Sequence, residues 1–154
     1  MKSETNPTNT NPQVNNMEHD EIMEKVMDHY DHPRNFGVLD KYDVQFSGGN
    51  AGCGDVLTVY LKLSEDGSKI EDVSFSGEGC IISQASASLI TDMIKGLKVE
   101  ELSAFNSERM KEILGKDIVI RRPRCANLIV DTLKSAVQRY QSTPKTGHIH
   151  RNAV

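Results

Sequence analysis

The chain of 154 residues has only three cysteines, and no two of them form a Cys-x-x-Cys pair. An odd count does not suit a secreted disulfide framework, and the missing knuckle excludes treble-clef fingers and zinc ribbons. The His-x-Glu and Pro-Cys-x-x-Cys of zinc deaminases are absent as well. A thiol protease needs a histidine poised on its nucleophile, but the histidines here are confined to the first helical stretch and the C-terminal end. Positive charge is not in surplus: Lys+Arg 18 against Asp+Glu 22 gives a formal net charge of -4, which does not favour a nucleic-acid partner. No apolar run is long enough to cross a bilayer, and the N-terminus lacks an apolar signal-peptide core. These absences predict a soluble, cytoplasmic chain with reduced thiols and neither a membrane nor a nucleic-acid partner.

What is present fits one domain with a real core. Residues 1–16 are rich in Asn, Thr and Pro and read as a disordered tail, residues 17–141 as the folded domain, and residues 142–154 as a flexible tail. Apolar residues at helical spacing predict a helix over 17–30, stopped by Pro33, with His29 and His32 as partly exposed residues at its end. A short strand is expected over 43–47. Alternation over 56–63 puts Leu57, Val59, Leu61 and Leu63 on one face of a second strand, and Glu65-Asp66-Gly67 turns it into a partner at 70–76, an antiparallel hairpin or meander. A helix follows Cys80, with Ile82, Ser86, Leu89 and Met93 on one stripe and Gly96 at its end. A short helix is expected over 107–114, capped by Ser107 and stopped by Gly115. A last helix is opened by Cys125 after Pro123 and buries Ile129, Leu133, Ala136, Val137 and Tyr140.

The thiols fall at the punctuation of this pattern. Cys53 lies between two glycines in Asn50-Ala51-Gly52-Cys53-Gly54-Asp55, and Asp55 opens a strand two residues on, so both side chains can address one ion. Cys80 and Cys125 stand at helix N-termini, where free amides and the helix dipole favour thiolate. A single cysteine is as readily a small buried hydrophobe, but three at such positions, with a carboxylate beside one, read as a ligand set. Three thiolates and one carboxylate suit zinc or iron. A permanent iron-sulfur protein normally offers four cysteines, so an oxygen ligand in the fourth place points to a cluster that is built and handed on. Asp55, the hardest ligand, is expected to be the most readily exchanged.

The motifs resemble the iron-sulfur cluster assembly scaffolds IscU and SufU, related to the N-terminal domain of NifU. The resemblance is carried, in order, by Val26-Met27-Asp28-His29-Tyr30 with His32-Pro33-Arg34-Asn35-Phe36-Gly37, by Cys53-Gly54-Asp55-Val56, by Gly77-Glu78-Gly79-Cys80 with Ser83-Gln84-Ala85-Ser86, and by Arg124-Cys125-Ala126-Asn127-Leu128. It implies an α+β domain in which helices pack on a three-stranded antiparallel sheet, with a metal site at one exposed end formed by Cys53, Asp55, Cys80 and Cys125. It also implies a non-enzymatic scaffold: a cysteine desulfurase delivers sulfur, iron joins, and a transient [2Fe-2S] cluster forms and passes to acceptor apo-proteins, while zinc occupies the same ligands in the isolated protein. Cys125, beside Arg121, Arg122 and Arg124, is the expected sulfur acceptor.

Some features depart from that pattern. Arg124 stands where IscU has a histidine and SufU a lysine, and a protonated guanidinium cannot ligate a metal. Ile118-Val119-Ile120-Arg121-Arg122 replaces the segment that IscU offers to its dedicated chaperone, so that partner is not implied here. The Cys80–Cys125 separation resembles IscU, whereas the serine-rich helix after Cys80 resembles SufU. Two other readings stay open: a zinc-dependent sulfur acceptor acting as sulfurtransferase partner of the desulfurase, and a small domain whose zinc is only structural.

Overall fold

Strand alternation buries one face of a meander. A computed structural model describes residues 12–50, 52 and 54–143, and in it β1 (Val44–Asn50), β2 (Asp55–Leu63) and β3 (Ile70–Glu78) form one antiparallel sheet in that order. The β1–β2 ladder runs from Val44 opposite Leu61 to Asn50 opposite Asp55. The β2–β3 ladder runs from Val56 opposite Glu78 to Leu63 opposite Ile70, with an irregularity at Lys62/Leu63. Leu57, Val59, Leu61 and Leu63 are all buried, as the alternation requires. Tyr60, on the other face, is buried as well, its ring edge-on to Tyr42 at 5.2 Å. β1 and β3 run beyond the expected 43–47 and 70–76, because ladder pairing carries each strand through its glycines to the metal-motif end.

The hairpin between β2 and β3 is held by Asp66, whose carboxylate accepts from Ser64 Oγ at 2.8 Å, Ser68 Oγ at 2.7 Å and the Ser68 amide at 3.0 Å. These donors lower its pKa to about 2. Helices cover the sheet: α1 (Pro12–Asp31) packs on α2 (Ile81–Ile94), α2 on β3, and the long C-terminal α5 (Pro123–Ser142) on β1, β2 and α2. α5 approaches β1 so closely that a β-carbon at Gly48 would collide with the Thr132 hydroxyl, so glycine is required there.

α1 begins at Pro12 rather than at Met17, since its first turns carry no apolar periodicity to mark them. Residues 1–11 and 144–154, and with them most of the expected tails, lie outside the described residues. Of the expected stripe of α2, Ser86 and Leu89 are buried and Ile82 and Met93 only partly so, while Ser83, Ala85, Ala87, Ser88, Ile90 and Thr91 are inside too, because the helix is enclosed by α1, α5 and β3. A 3-10 turn (Val99–Ala104) leads to α3 (Ser107–Leu114), whose cap is Asn106 and not Ser107: the Asn106 side chain accepts the Arg109 amide at 2.9 Å. Residues 116–121, given no element by periodicity because a six-residue helix is too short to display one, form α4 (Lys116–Arg121).

The segment after α1 closes the free edge of β3. Asn35, at φ 63°, accepts the Phe75 amide at 2.9 Å, and the Gly37 amide donates back to the Phe75 carbonyl at 2.7 Å. Unpaired strand groups are satisfied in this way and that edge is blocked.

Candidate metal centre

Asp55 begins β2 directly after the β1–β2 turn, which is closed by the Gly54 amide donating to the Asn50 carbonyl at 2.9 Å. Its side chain is 2% exposed. Across the sheet, β3 ends at Glu78 and the chain passes through Gly79 into Cys80, the N-cap residue of α2. The Cys80 amide donates to Asp55 Oδ1 at 3.2 Å, so the carboxylate supplies a capping acceptor that the cysteine side chain does not. A β-carbon on Gly79 would run into Ser83 Oγ and stand 3.2 Å from Asp55 Oδ1, which explains the glycine in this position.

Cys125 is the third residue of α5 rather than its first, because Pro123 occupies N1. The ligand atoms of Asp55, Cys80 and Cys125 lie within 4.8 Å of one another, although their elements are far apart in sequence. Cys53, the fourth expected ligand, lies outside the described residues. Cys80 is half-buried and Cys125 is 1% exposed. Arg121, Arg122 and Arg124 are exposed around the start of α5, and the Arg124 guanidinium stands 3.9 Å from where a β-carbon at Gly52 would be, over the β1–β2 turn.

The donor chemistry fits a thiophilic ion. Asp55 Oδ2 is buried and has no hydrogen-bond partner among the described residues, and an unpaired buried carboxylate oxygen is costly unless a cation meets it. Two sulfurs beside that oxygen suit zinc or iron rather than calcium or magnesium, which take oxygen ligands.

Two buried polar residues go beyond what the sequence indicates. Asn50 is buried, and its Nδ2 donates to Cys125 Sγ at 3.8 Å. His29 is buried rather than partly exposed, with Nδ1 2.7 Å from Ser88 Oγ. Its position, three residues after the fully buried Val26, places it on the inner stripe of α1, a signal that was present in the spacing.

The sequence model of the NifU-like N-terminal domain matches residues 21–147. The chain belongs to that family, the family of the IscU and SufU scaffolds. Among curated relatives of this NifU-like domain is the iron-sulfur cluster assembly scaffold protein IscU of Haemophilus influenzae, 39% identical over 122 residues, which span 77% of this chain and 94% of that protein. Another is the iron-sulfur cluster assembly scaffold protein IscU 1 of Archaeoglobus fulgidus, 35% identical over 117 residues, 76% of this chain and 74% of that one. The fold also matches the crystal structure of a nitrogen-fixing NifU-like protein (N-terminal) from Brucella abortus, with a TM-score of 0.70 at 20% identity over 81% of this chain and 98% of that chain. The NifU-like fold thus brings one residue from each of three separate elements, β2, the α2 cap and α5, to one end of the sheet.

Proposed function

We propose that this chain is a scaffold on which an iron-sulfur cluster is assembled and from which it is passed to acceptor apo-proteins. The observation that carries the reading is Asp55 Oδ2, buried with no hydrogen-bond partner among the described residues, on a carboxylate that groups with the Cys80 and Cys125 thiols. The names of the relatives support the same role. The cluster is cargo, a [2Fe-2S] unit held by Asp55, Cys80 and Cys125 with Cys53 as the fourth ligand, and zinc takes the same donors in the isolated protein. The chain is not itself an enzyme under this reading; residues 17–141 form the working domain.

Sulfur comes from a cysteine desulfurase. The Cys125 thiolate attacks the outer sulfur of the desulfurase persulfide; a new S–S bond forms as the old one breaks, and the desulfurase cysteine leaves as thiolate. Cys125 is buried, so its sulfur has to become accessible before that transfer takes place. The exposed Arg121, Arg122 and Arg124 offer a positive surface beside it for an acidic docking partner. Among the described residues no helix is long and apolar enough to cross a membrane, and we assign the scaffold to the cytoplasm.

Anaerobic incubation with ferrous iron, cysteine, a desulfurase and a thiol reductant, which supplies the electrons that take persulfide sulfur to sulfide, tests the proposal. The expected result is a visible absorbance from a protein-bound cluster. Persulfide on the chain without a cluster would favour the zinc-dependent sulfur acceptor instead, and neither product would leave a structural zinc domain.

A further inference from the structure

We infer that Asn50 is a positioning residue for Cys125, holding its sulfur toward the other ligands through an N–H···S hydrogen bond; this rests on the ligand site proposed above. Asn50 is the last residue of β1, paired with Asp55 across the ladder. Its backbone carbonyl already closes the turn by accepting from Gly54, so the turn does not need the side chain. The carboxamide is nevertheless buried, 6% exposed, and a buried amide N–H is costly without an acceptor. The acceptor is Cys125 Sγ at 3.8 Å, a long contact but one made to a large, diffuse sulfur.

The chemistry of the bond follows from its direction. A neutral donor aimed at a thiolate draws off part of its negative charge without competing as a ligand, and such outer contacts orient a metal ligand and tune its donor strength. An aspartate in the same place would add charge and could itself bind metal, whereas the amide does neither. The bond also joins the β1–β2 turn, which delivers Asp55, to the first turn of α5, which delivers Cys125. The two thiols are therefore inequivalent: Cys125 is buried under an amide donor, while Cys80 is half-exposed with its backbone tied to Asp55.

Cobalt(II) titration of the full chain and of Asn50→Leu and Asn50→Ala tests this. The d–d bands report the ligand geometry, and the sulfur-to-cobalt charge-transfer band reports the electron richness of the thiolates. Without the donor the sulfur holds its electrons at higher energy, so the charge-transfer band should move to longer wavelength in both variants, and cobalt affinity should weaken about 10-fold. A side chain that only fills space would change affinity and leave the band in place. A band unmoved in both variants, with tetrahedral d–d absorption retained, would overturn the inference. Absence of cobalt binding to the wild-type chain would overturn the ligand site itself and the inference with it.

Discussion

Asp55 Oδ1 accepts the backbone amide of Cys80 at 3.2 Å while Asp55 Oδ2, on the same carboxylate, is buried with no hydrogen-bond partner among the described residues. One residue therefore fixes a neighbouring ligand and offers a ligand atom of its own. Replacing it with alanine removes both functions, whereas Asp55→Asn keeps an oxygen for the Cys80 amide and removes the exchangeable anionic ligand. If Asp55 is the point at which an acceptor thiol enters, Asp55→Asn should retain a reconstituted cluster longer than wild type and pass it to an apo-ferredoxin more slowly. Asp55→Ala, which also unties Cys80, should lose its cluster faster than Asp55→Asn. Visible absorbance under anaerobic conditions, with and without acceptor, measures both. A shorter cluster lifetime in Asp55→Asn than in wild type would make Asp55 a strengthening ligand only.

Gly79 leaves no room for a side chain between Ser83 and Asp55. Gly79→Ala should destabilise the fold by about 1–3 kcal/mol, the usual range for overpacking, and weaken zinc binding by displacing the Asp55 carboxylate. Adding Ser83→Ala removes the nearest colliding atom and should recover part of both losses. Melting curves and zinc titrations of the single and double variants check this, and a double variant no better than Gly79→Ala would show that the collision is not the cause.

The buried His29 imidazole should make the fold acid-sensitive. Its Nδ1 lies 2.7 Å from Ser88 Oγ, a hydroxyl that also accepts the Arg34 amide at 2.8 Å, so the ring is held in a buried site with a neutral partner. Burial, helped by the Arg34 and Lys25 charges and opposed by Asp28 and Asp92, lowers the His29 pKa below its ordinary 6.5. As pH falls below 6.5 the unfolded chain takes up a proton that the folded chain refuses, so stability is lost in that direction. The melting temperature should fall between about pH 7 and pH 5, and less steeply in His29→Gln. An unchanged slope in the variant would place the acid sensitivity elsewhere.

Metal binding should order the ligand end. Converging thiolates repel without a cation, and metal binding adds directly to folding free energy. Purified protein should carry about one zinc per chain by elemental analysis, the content of a single four-ligand site, and chelation should lower its melting temperature. A metal-free preparation with an unchanged melting curve would contradict this.

Much of the architecture was legible because it rests on local rules. The alternation of Leu57, Val59, Leu61 and Leu63 fixes a strand and its inner face and Asp66-Gly67 fixes the turn, whereas Pro123, expected only as a lead-in, is itself the first residue of the last helix. The convergence of Asp55, Cys80 and Cys125 was anticipated from thiols at element boundaries, where backbone amides are free and side chains are held at defined angles. The Asp55–Cys80 amide bond and the Asn50–Cys125 contact were not legible, since each depends on which strand end meets which helix start, and a single chain carries no local mark of that. By polarity His29 reads as partly exposed, but it lies on the Val26 stripe, and one hydroxyl, Ser88, is enough to make a buried imidazole acceptable.

The central claim is that the cluster is held in order to be given away, and cluster transfer tests it most directly. The chain is reconstituted anaerobically, freed of unbound iron and sulfide, and mixed with an apo-ferredoxin while circular dichroism follows both proteins. The holo-ferredoxin signal should rise as the scaffold signal decays, with matching amounts of cluster lost and gained. A cluster that stays on this chain while the ferredoxin remains apo would contradict it.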